Sequence, residues 1–401
     1  MDTYKLETVE TPQQKKEFID FPKRLYKGNR YWVCPLDNDI EKVFDPARNE
    51  LFEGGEAVRW LLRDASGKVV GRIAAFYNRA LAKLNDQPTG SCGFFECVND
   101  QKAADILFDA SKLWLEERGM EAMDGPVNFG DRDSWWGLLV DGFELQPLYA
   151  NPYNPPYYRE LFENYGFQNY FNQHTYYRNI ASGEFSQSVY DRVKRLEETP
   201  GYRFQHIRKR DLDQVAKDFR MIYNKAWARF PGVKPMDGEH ADKLLKSMKP
   251  IIDEKLIYFA YFNDEPIGFY IMVPDLNRVI GRFKGKLNLI NKIRLMLMLK
   301  FTRKADRVFG IIFGVVPEFQ GKGIESGIIH AFEQSLIRGE VKDYKTLELA
   351  WMGDFNPVMI RMVENYVCAQ RLKQHVTYRY LFDRTKEFTR CPRMGASRND
   401  K

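Results

Sequence analysis

The stretch Phe309-Gly-Ile-Ile-Phe-Gly-Val-Val-Pro-Glu-Phe-Gln-Gly-Lys-Gly-Ile-Glu-Ser-Gly327 decides the fold. It opens as an apolar run with the length of a buried strand, breaks at Pro317, and passes through a glycine loop into a helical pattern. Gly321 and Gly323 let backbone amides approach a ligand with no Cβ in the way. The helix that follows offers unpaired N–H groups and the positive end of its dipole, which is what a pyrophosphate needs. Ile324, Ile328, Phe332 and Leu336 recur every four residues and turn one face of that helix toward a sheet. Lys322 is then expected to point outward, toward charge.

Outward from this stretch the chain repeats itself. Asn154-Pro155, Arg159, Glu163-Asn164-Tyr165, Gln173-His174 and Tyr177-Arg178 return as Asn356-Pro357, Arg361, Glu364-Asn365-Tyr366, Gln374-His375 and Tyr378-Arg379. The spacing from each Glu onward is identical, so the chain reads as a duplication. A strand, turn, strand pattern fits Leu256–Phe262, Asn263–Pro266 and Ile267–Val273, and again Val58–Arg63, Asp64–Lys68 and Val69–Phe76. Each hairpin leads to a buried strand and a helix, Phe309–Val316 then Ile324–Arg338, and Gly93–Val98 then Lys102–Arg118. The polar segment 181–200 reads as the linker between the halves. The expected division is therefore 1–180, the linker 181–200, 201–383, and a disordered tail at 384–401.

Val315-Val316-Pro317 followed by Gln320-Gly321-Lys322-Gly323-Ile324-Glu325, with Asn356 opening the next helix, resembles the acyl-CoA motif of the GNAT acyltransferase superfamily. The resemblance covers most of residues 200–383. It implies an α/β protein of two tandem GNAT-like domains, each a mixed, mostly antiparallel twisted sheet flanked by helices. The first half keeps the order of elements, but between Val98 and Ala104 it has Asn-Asp-Gln-Lys-Ala and no glycine, so it resembles a copy without the CoA loop. The resemblance implies acetyl-CoA or a longer acyl-CoA as co-substrate, held by Gly314, Val315, Val316, Gln320, Gly321, Lys322, Gly323, Ile324 and Asn356. It implies N-acyl transfer to an amine held between the domains, with no metal. Two positions depart from the pattern: Glu325 stands where the family has Gly or Ala, and Val363 where many members have the tyrosine that protonates the leaving thiolate.

The general base and acid are sought among Glu348, Asp354 and Tyr366. Glu348 lies on the strand that in this superfamily splays from its neighbour to admit the acyl group. Tyr366 is near the expected acid, although its counterpart Tyr165 in the loop-less half favours a packing role. His174 and His375 are likewise equivalent and are read as a shared structural pair. The aromatic, Gly-, Asn- and Pro-rich stretch 125–158 is too irregular for a helix, and Asn128, Trp135, Asn151 and Tyr157 are its expected acceptor-binding wall. Two rival readings are a non-catalytic protein that binds a lipid or a partner on the same fold, and a Fem-like aminoacyl transferase using tRNA.

Composition bounds these readings. With 401 residues, 44% of them apolar and 58 aromatic, the chain folds around large cores. Five cysteines without paired spacing fit a reducing compartment, and the N-terminus has no signal-peptide profile, so a cytoplasmic location is expected. The net charge of +6 is concentrated: residues 276–305 hold nine basic residues and no acid, and nine of the 13 residues from Leu287 to Leu299 are Leu, Ile or Met. Such a helix is too short to span a bilayer, and it either packs over the domain or lies on an anionic membrane surface, giving a peripheral seat on the inner face. Outside 276–305 the chain sums to −3.

Overall fold

The structure is a computed structural model and describes residues 4–180, 185–227, 235–301, 306–341 and 343–394. The first half runs β1 (Tyr4–Thr8), α1 (Pro12–Leu25), α2 (Asp37–Val43), β2 (Gly55–Asp64), β3 (Val69–Asn78), α3 (Arg79–Ala82), β4 (Thr89–Cys97), α4 (Gln101–Glu116), β5 (Ala122–Gly125), β6 (Leu138–Asp141), α5 (Tyr158–Tyr165) and β7 (Gln168–Asn179). The second runs α6 (Gln187–Glu197), β8 (Tyr202–His206), α7 (Leu212–Trp227), α8 (Gly238–Met248), β9 (Ile257–Phe262), β10 (Glu265–Pro274), α9 (Asn277–Ile280), α10 (Leu289–Phe301), β11 (Arg307–Val315), α11 (Ile324–Ile337), β12 (Thr346–Gly353), α12 (Pro357–Met362) and β13 (Gln370–Leu381). Both hairpins form where the sequence places them. Asn263 and Asp264 take φ of 49° and 66°, the left-handed pair that a two-residue hairpin turn demands and that Asn and Asp tolerate.

The strands form one sheet in the order β1-β2-β3-β4-β5-β13-β7-β12-β11-β10-β9-β8, with β6 paired to β13. The order is symmetric about its centre, and the symmetry matches the duplication. Among the described residues, only β4–β5 and β11–β12 are parallel pairs. The halves exchange their last strands: β7 lies against β12 of the second half and β13 against β5 of the first. At the centre, Gln374 sits opposite His174 and His375 opposite Gln173, so the repeated Gln-His pair marks the pseudo-twofold axis. The exchange extends to the cores. Tyr176 of β7 is buried with Val189, Phe259 and Phe332, while Val376, Tyr378 and Tyr380 of β13 are buried with Phe95, Phe108 and Phe162.

Two boundary expectations need correction. Most of 181–200 is the helix α6, because Val189, Val193 and Leu196 recur on one face and bury against α11 under a polar exterior. Residues 181–184 lie outside the described residues. The tail reading also fails over 384–394, where Cys391 N–H donates to the Tyr170 carbonyl and Met394 N–H to that of Phe355. Residues 395–401 lie outside the described residues.

Candidate active site

After β11 the chain makes a short turn at Pro317–Phe319, and the Gln320 side-chain amide donates back to the Val315 carbonyl at 3.0 Å, closing the loop. Gly321 and Gly323 both adopt left-handed φ, 75° and 86°. A Cβ at Gly321 would meet nothing within 4 Å, so the loop faces open space there. Gly323 is the N-cap of α11 and supplies no side chain, which leaves the first N–H groups of a 14-residue helix without a capping acceptor. The matching helix of the first half is closed. Asp100 caps α4, its carboxylate accepting from Ala103 N–H at 3.0 Å and from the Tyr4 hydroxyl at 2.9 Å. The Ala103 amide is the main force holding that carboxyl below its usual range. An anion is already built into the first half at the place where the second leaves amides free.

The cations around the open loop come partly from α6. Arg192, Arg195, Thr199 and Tyr202 join Gly321, Lys322 and Gly323 around a cavity of about 340 Å³. Lys322 extends outward as expected, with its ammonium 4.8 Å from the Phe319 ring centroid. Glu325 does not present a bare charge, since Arg192 pairs with it at 3.1 Å. Arg192 also bonds the Tyr366 hydroxyl and stacks 4.1 Å over that ring. Tyr366 is therefore tied to the open loop through Arg192. Val363, at the position of the missing tyrosine, is buried in the core.

Beyond the loop the two parallel strands part. Pairing of β11 with β12 ends at Gly310 and Leu349, and both strands change there from buried to half-buried, at Ile311–Phe313 and Ala350–Met352. A bulge at Ile311, skipped in the ladder with β10, bends the strand at the fork. The Trp227 ring closes on Gly314, where a Cβ would sit 2.0 Å from its Cη2, so only glycine fits. From the first half, the loop at 131–133 reaches the same fork. Trp351 Nε1 donates to the Arg132 carbonyl at 3.0 Å, and Asp131 and Asp133 bear on the Tyr223 hydroxyl, whose ring lies 5.4 Å from Trp227. The Asp133 side chain is exposed, and partial desolvation by the segments around it, followed by the charge of Asp131, raises its carboxyl to about 6. Nothing in the irregular sequence around Asp133 singled it out.

The remaining expected residues fall elsewhere. Glu348 lies opposite Phe309, before the fork, fully buried between Arg307 at 3.0 Å and Lys373, with Asp275 completing the network on Arg307 at 2.6 Å. Asp354 accepts from Asn172 at 2.8 Å and pairs with Arg390 at 2.6 Å. Asn356 caps α12 through Met359 N–H. Of the strand residues, Gly314 meets Trp227, the Val315 carbonyl holds Gln320, and Val316 N–H donates to the Ile267 carbonyl, while Ile324 is buried under α11. Asn128 is buried beneath the 131–133 loop, donating to the Asp131 carbonyl at 3.5 Å. Trp135 and Asn151 line a cavity in the first half, with Phe94, Glu96 and Arg72, and the Tyr157 hydroxyl donates to the Cys97 carbonyl. The acceptor-wall set is thus not brought together: Trp135 and Asn151 share the first-half cavity, while Asn128 and Tyr157 hold backbone carbonyls elsewhere. Burial drives the His375 imidazole down to about 3, in keeping with a structural place at the axis.

No protein-family model matches the chain. It is 28% identical over 370 residues to a protein named bacterial ceramide synthase from Caulobacter vibrioides (strain NA1000 / CB15N), covering 89% of this chain and 92% of that one. It is 24% identical over 372 residues to Protein YghO of Escherichia coli (strain K12), covering 90% and 92%. Among solved structures, a tandem GNAT protein from the clavulanic acid biosynthesis pathway aligns with a TM-score of 0.53 at 9% identity, over 94% of this chain and 98% of that one. The GCN5-related glucosamine N-acetyltransferase region of a fungal multi-domain GH3 β-N-acetylglucosaminidase aligns with a TM-score of 0.54 at 12% identity, and there the match spans 94% of this chain but 38% of that one. The mirrored strand order, the two parallel strand pairs and these neighbours agree: the chain has the tandem GNAT fold.

Proposed function

We propose that the chain is an acyl-CoA-dependent N-acyltransferase working at the fork of its second half. The observation that carries this reading is the contrast between the two helix starts, α4 closed by Asp100 and α11 open beside Arg192, Arg195 and Lys322. Free amides and three cations fit the phosphates of CoA, and the half-buried apolar strands beyond Gly310 and Leu349 fit the acyl end. Asp133, next in the chain to Arg132, whose carbonyl accepts from Trp351 at the fork, is the base of this proposal. The acceptor nitrogen forms its bond to the thioester carbon as the C–S bond breaks. Asp133 takes the proton from that nitrogen, and the departing thiolate finally gains it, so the products are an amide and a free thiol.

The relative named ceramide synthase makes a long-chain amino alcohol the acceptor to test first, since a ceramide is the N-acyl derivative of one. Calorimetric titration with acetyl-CoA and palmitoyl-CoA should show one site per chain, and sphinganine should then release thiol in the presence of the bound acyl donor. Absence of heat with both donors would refute the acyl-CoA reading. Binding without amine-dependent thiol release would leave a binding protein instead.

A further inference from the structure

The helix α10 has a second apolar face that the described residues leave exposed. Leu295 is buried beneath it with Val33, Leu276, Val279, Ile280 and Phe283, which fixes the helix to the body. On the outer side Leu289, Ile290, Ile293, Met296 and Leu297 are 73%, 68%, 46%, 50% and 51% exposed. At about 100° per residue these five side chains share a stripe about 120° wide, with Leu295 opposite its centre. Lys292 and Arg294, both exposed, fall just beyond its two edges. The preceding turn adds exposed Arg282, Lys284 and Lys286, and no acid occurs between Leu276 and Phe301. Contiguous exposed apolar groups of this kind mark an interaction site.

We infer that the outer face of α10 docks the protein on an anionic lipid bilayer. The charge pattern selects this occupant. An apolar stripe between two cationic edges matches the boundary where acyl chains end and anionic headgroups begin. Among the described residues no helix is long and apolar enough to cross a membrane, so this is attachment in the plane of the surface. The opposite side of the anchor shows what the docking would serve. Asp37 N–H donates to the Gly285 carbonyl at 2.8 Å, and the segment Trp32–Pro35 on which the insertion rests also lines the first-half cavity beside Phe94 and Trp135. This inference does not depend on the chemistry proposed for the second fork.

The test is flotation of the full chain with vesicles of phosphatidylcholine containing roughly one third phosphatidylglycerol, and with phosphatidylcholine alone. The wild type is expected to float with the anionic vesicles and to partition at least a hundredfold less onto the neutral ones, which offer its five exposed cations no anionic headgroup. Leu289→Glu/Ile293→Glu/Leu297→Glu should lower anionic binding at least tenfold, and Lys292→Gln/Arg294→Gln about thirtyfold, which is about 2 kcal/mol for the two charges at tenfold per 1.4 kcal/mol. These side chains are exposed, so an unchanged thermal midpoint and unchanged acyl-CoA titration would show that the fold is intact. Wild type that stays at the bottom of the gradient overturns the inference, as does a triple variant that floats equally well. So does a dimer in sedimentation velocity that the triple variant splits, for then a second copy covers the face.

Discussion

Replacing Arg192 with alanine tests the proposed phosphate site at its most exposed assumption, that Glu325 is compatible with an anionic ligand. Around the cavity the charges of Arg192, Arg195 and Lys322 stand against that of Glu325, a net of +2 that the substitution lowers to +1. A charge-assisted hydrogen bond to phosphate contributes about 1.5 to 3 kcal/mol. Glu325, freed from its 3.1 Å partner, would in addition repel a phosphate oxygen about 6 Å away by roughly 0.7 kcal/mol with water-like screening. Together the two effects weaken binding by about 2 to 3.5 kcal/mol, a rise in Kd of about 30- to 300-fold. Adding Glu325→Gln to Arg192→Ala should restore only the smaller part, about threefold. Titration calorimetry with CoA at low and moderate salt reads both numbers, and the wild type should lose more affinity with salt than the variant, because it has one more cation to screen. A Kd for Arg192→Ala within threefold of the wild type would refute the reasoning, since Arg192 could then neither hold phosphate nor neutralise Glu325.

Three further outcomes follow from the same geometry. Because the Asp133 carboxyl is raised to about 6, its basic form appears as pH rises through that value, so kcat/KM should climb through pH 6 and level off above it. Asp133→Asn should remove that limb and lower the rate about 100-fold or more. Glu348→Gln should cost about 3 to 5 kcal/mol in urea unfolding, since it leaves Arg307 and Lys373 buried without their shared carboxylate; a variant of wild-type stability that loses only kcat would restore Glu348 as the base. The His375 imidazole is held down to about 3 by burial, so it favours the native state above its unfolded pKa and loses that contribution as pH falls from about 6.5 toward 3. Between pH 6.5 and 4 the wild type should lose about 3 kcal/mol more than His375→Gln. Equal pH slopes for the two proteins would show that His375 is not the group responsible.

The loop Gln320–Ile324, the paired hairpins and the duplication were all legible in the sequence, for one physical reason: each depends on neighbours along the chain. Left-handed glycines, a turn built of Asn263 and Asp264, and apolar residues every four positions declare themselves locally. The cations of the site did not, because Arg192 and Arg195 belong to a helix whose charged exterior resembles a linker and whose buried face rests on three residues only, Val189, Val193 and Leu196. Asp133 was equally hidden. Its place at the fork comes from a contact between segments far apart in sequence, Arg132 with Trp351, and no local pattern records that.

The strand exchange was illegible for a different reason, and it bears on how the two halves divide their work. β7 and β13 share Gln-His and Tyr-Arg at equal spacing, so local preference cannot tell which seat each strand takes. Exchange nevertheless ties each core to the other half, since Tyr176 fills the second core and Tyr378 the first. A half could not be lost or loosened without opening the core of its counterpart. That coupling holds the first half in place although Asp100 caps the helix whose counterpart is open in the second, and a half so held is free to take another task. Its loop at 131–133 is where that freedom shows: carried by the closed half, it brings the Arg132 carbonyl to Trp351 at the fork of the open one, with Asp133 next in the chain. In this reading neither half has a complete site alone. The second contributes the amides, the cations and the fork, and the first contributes the base.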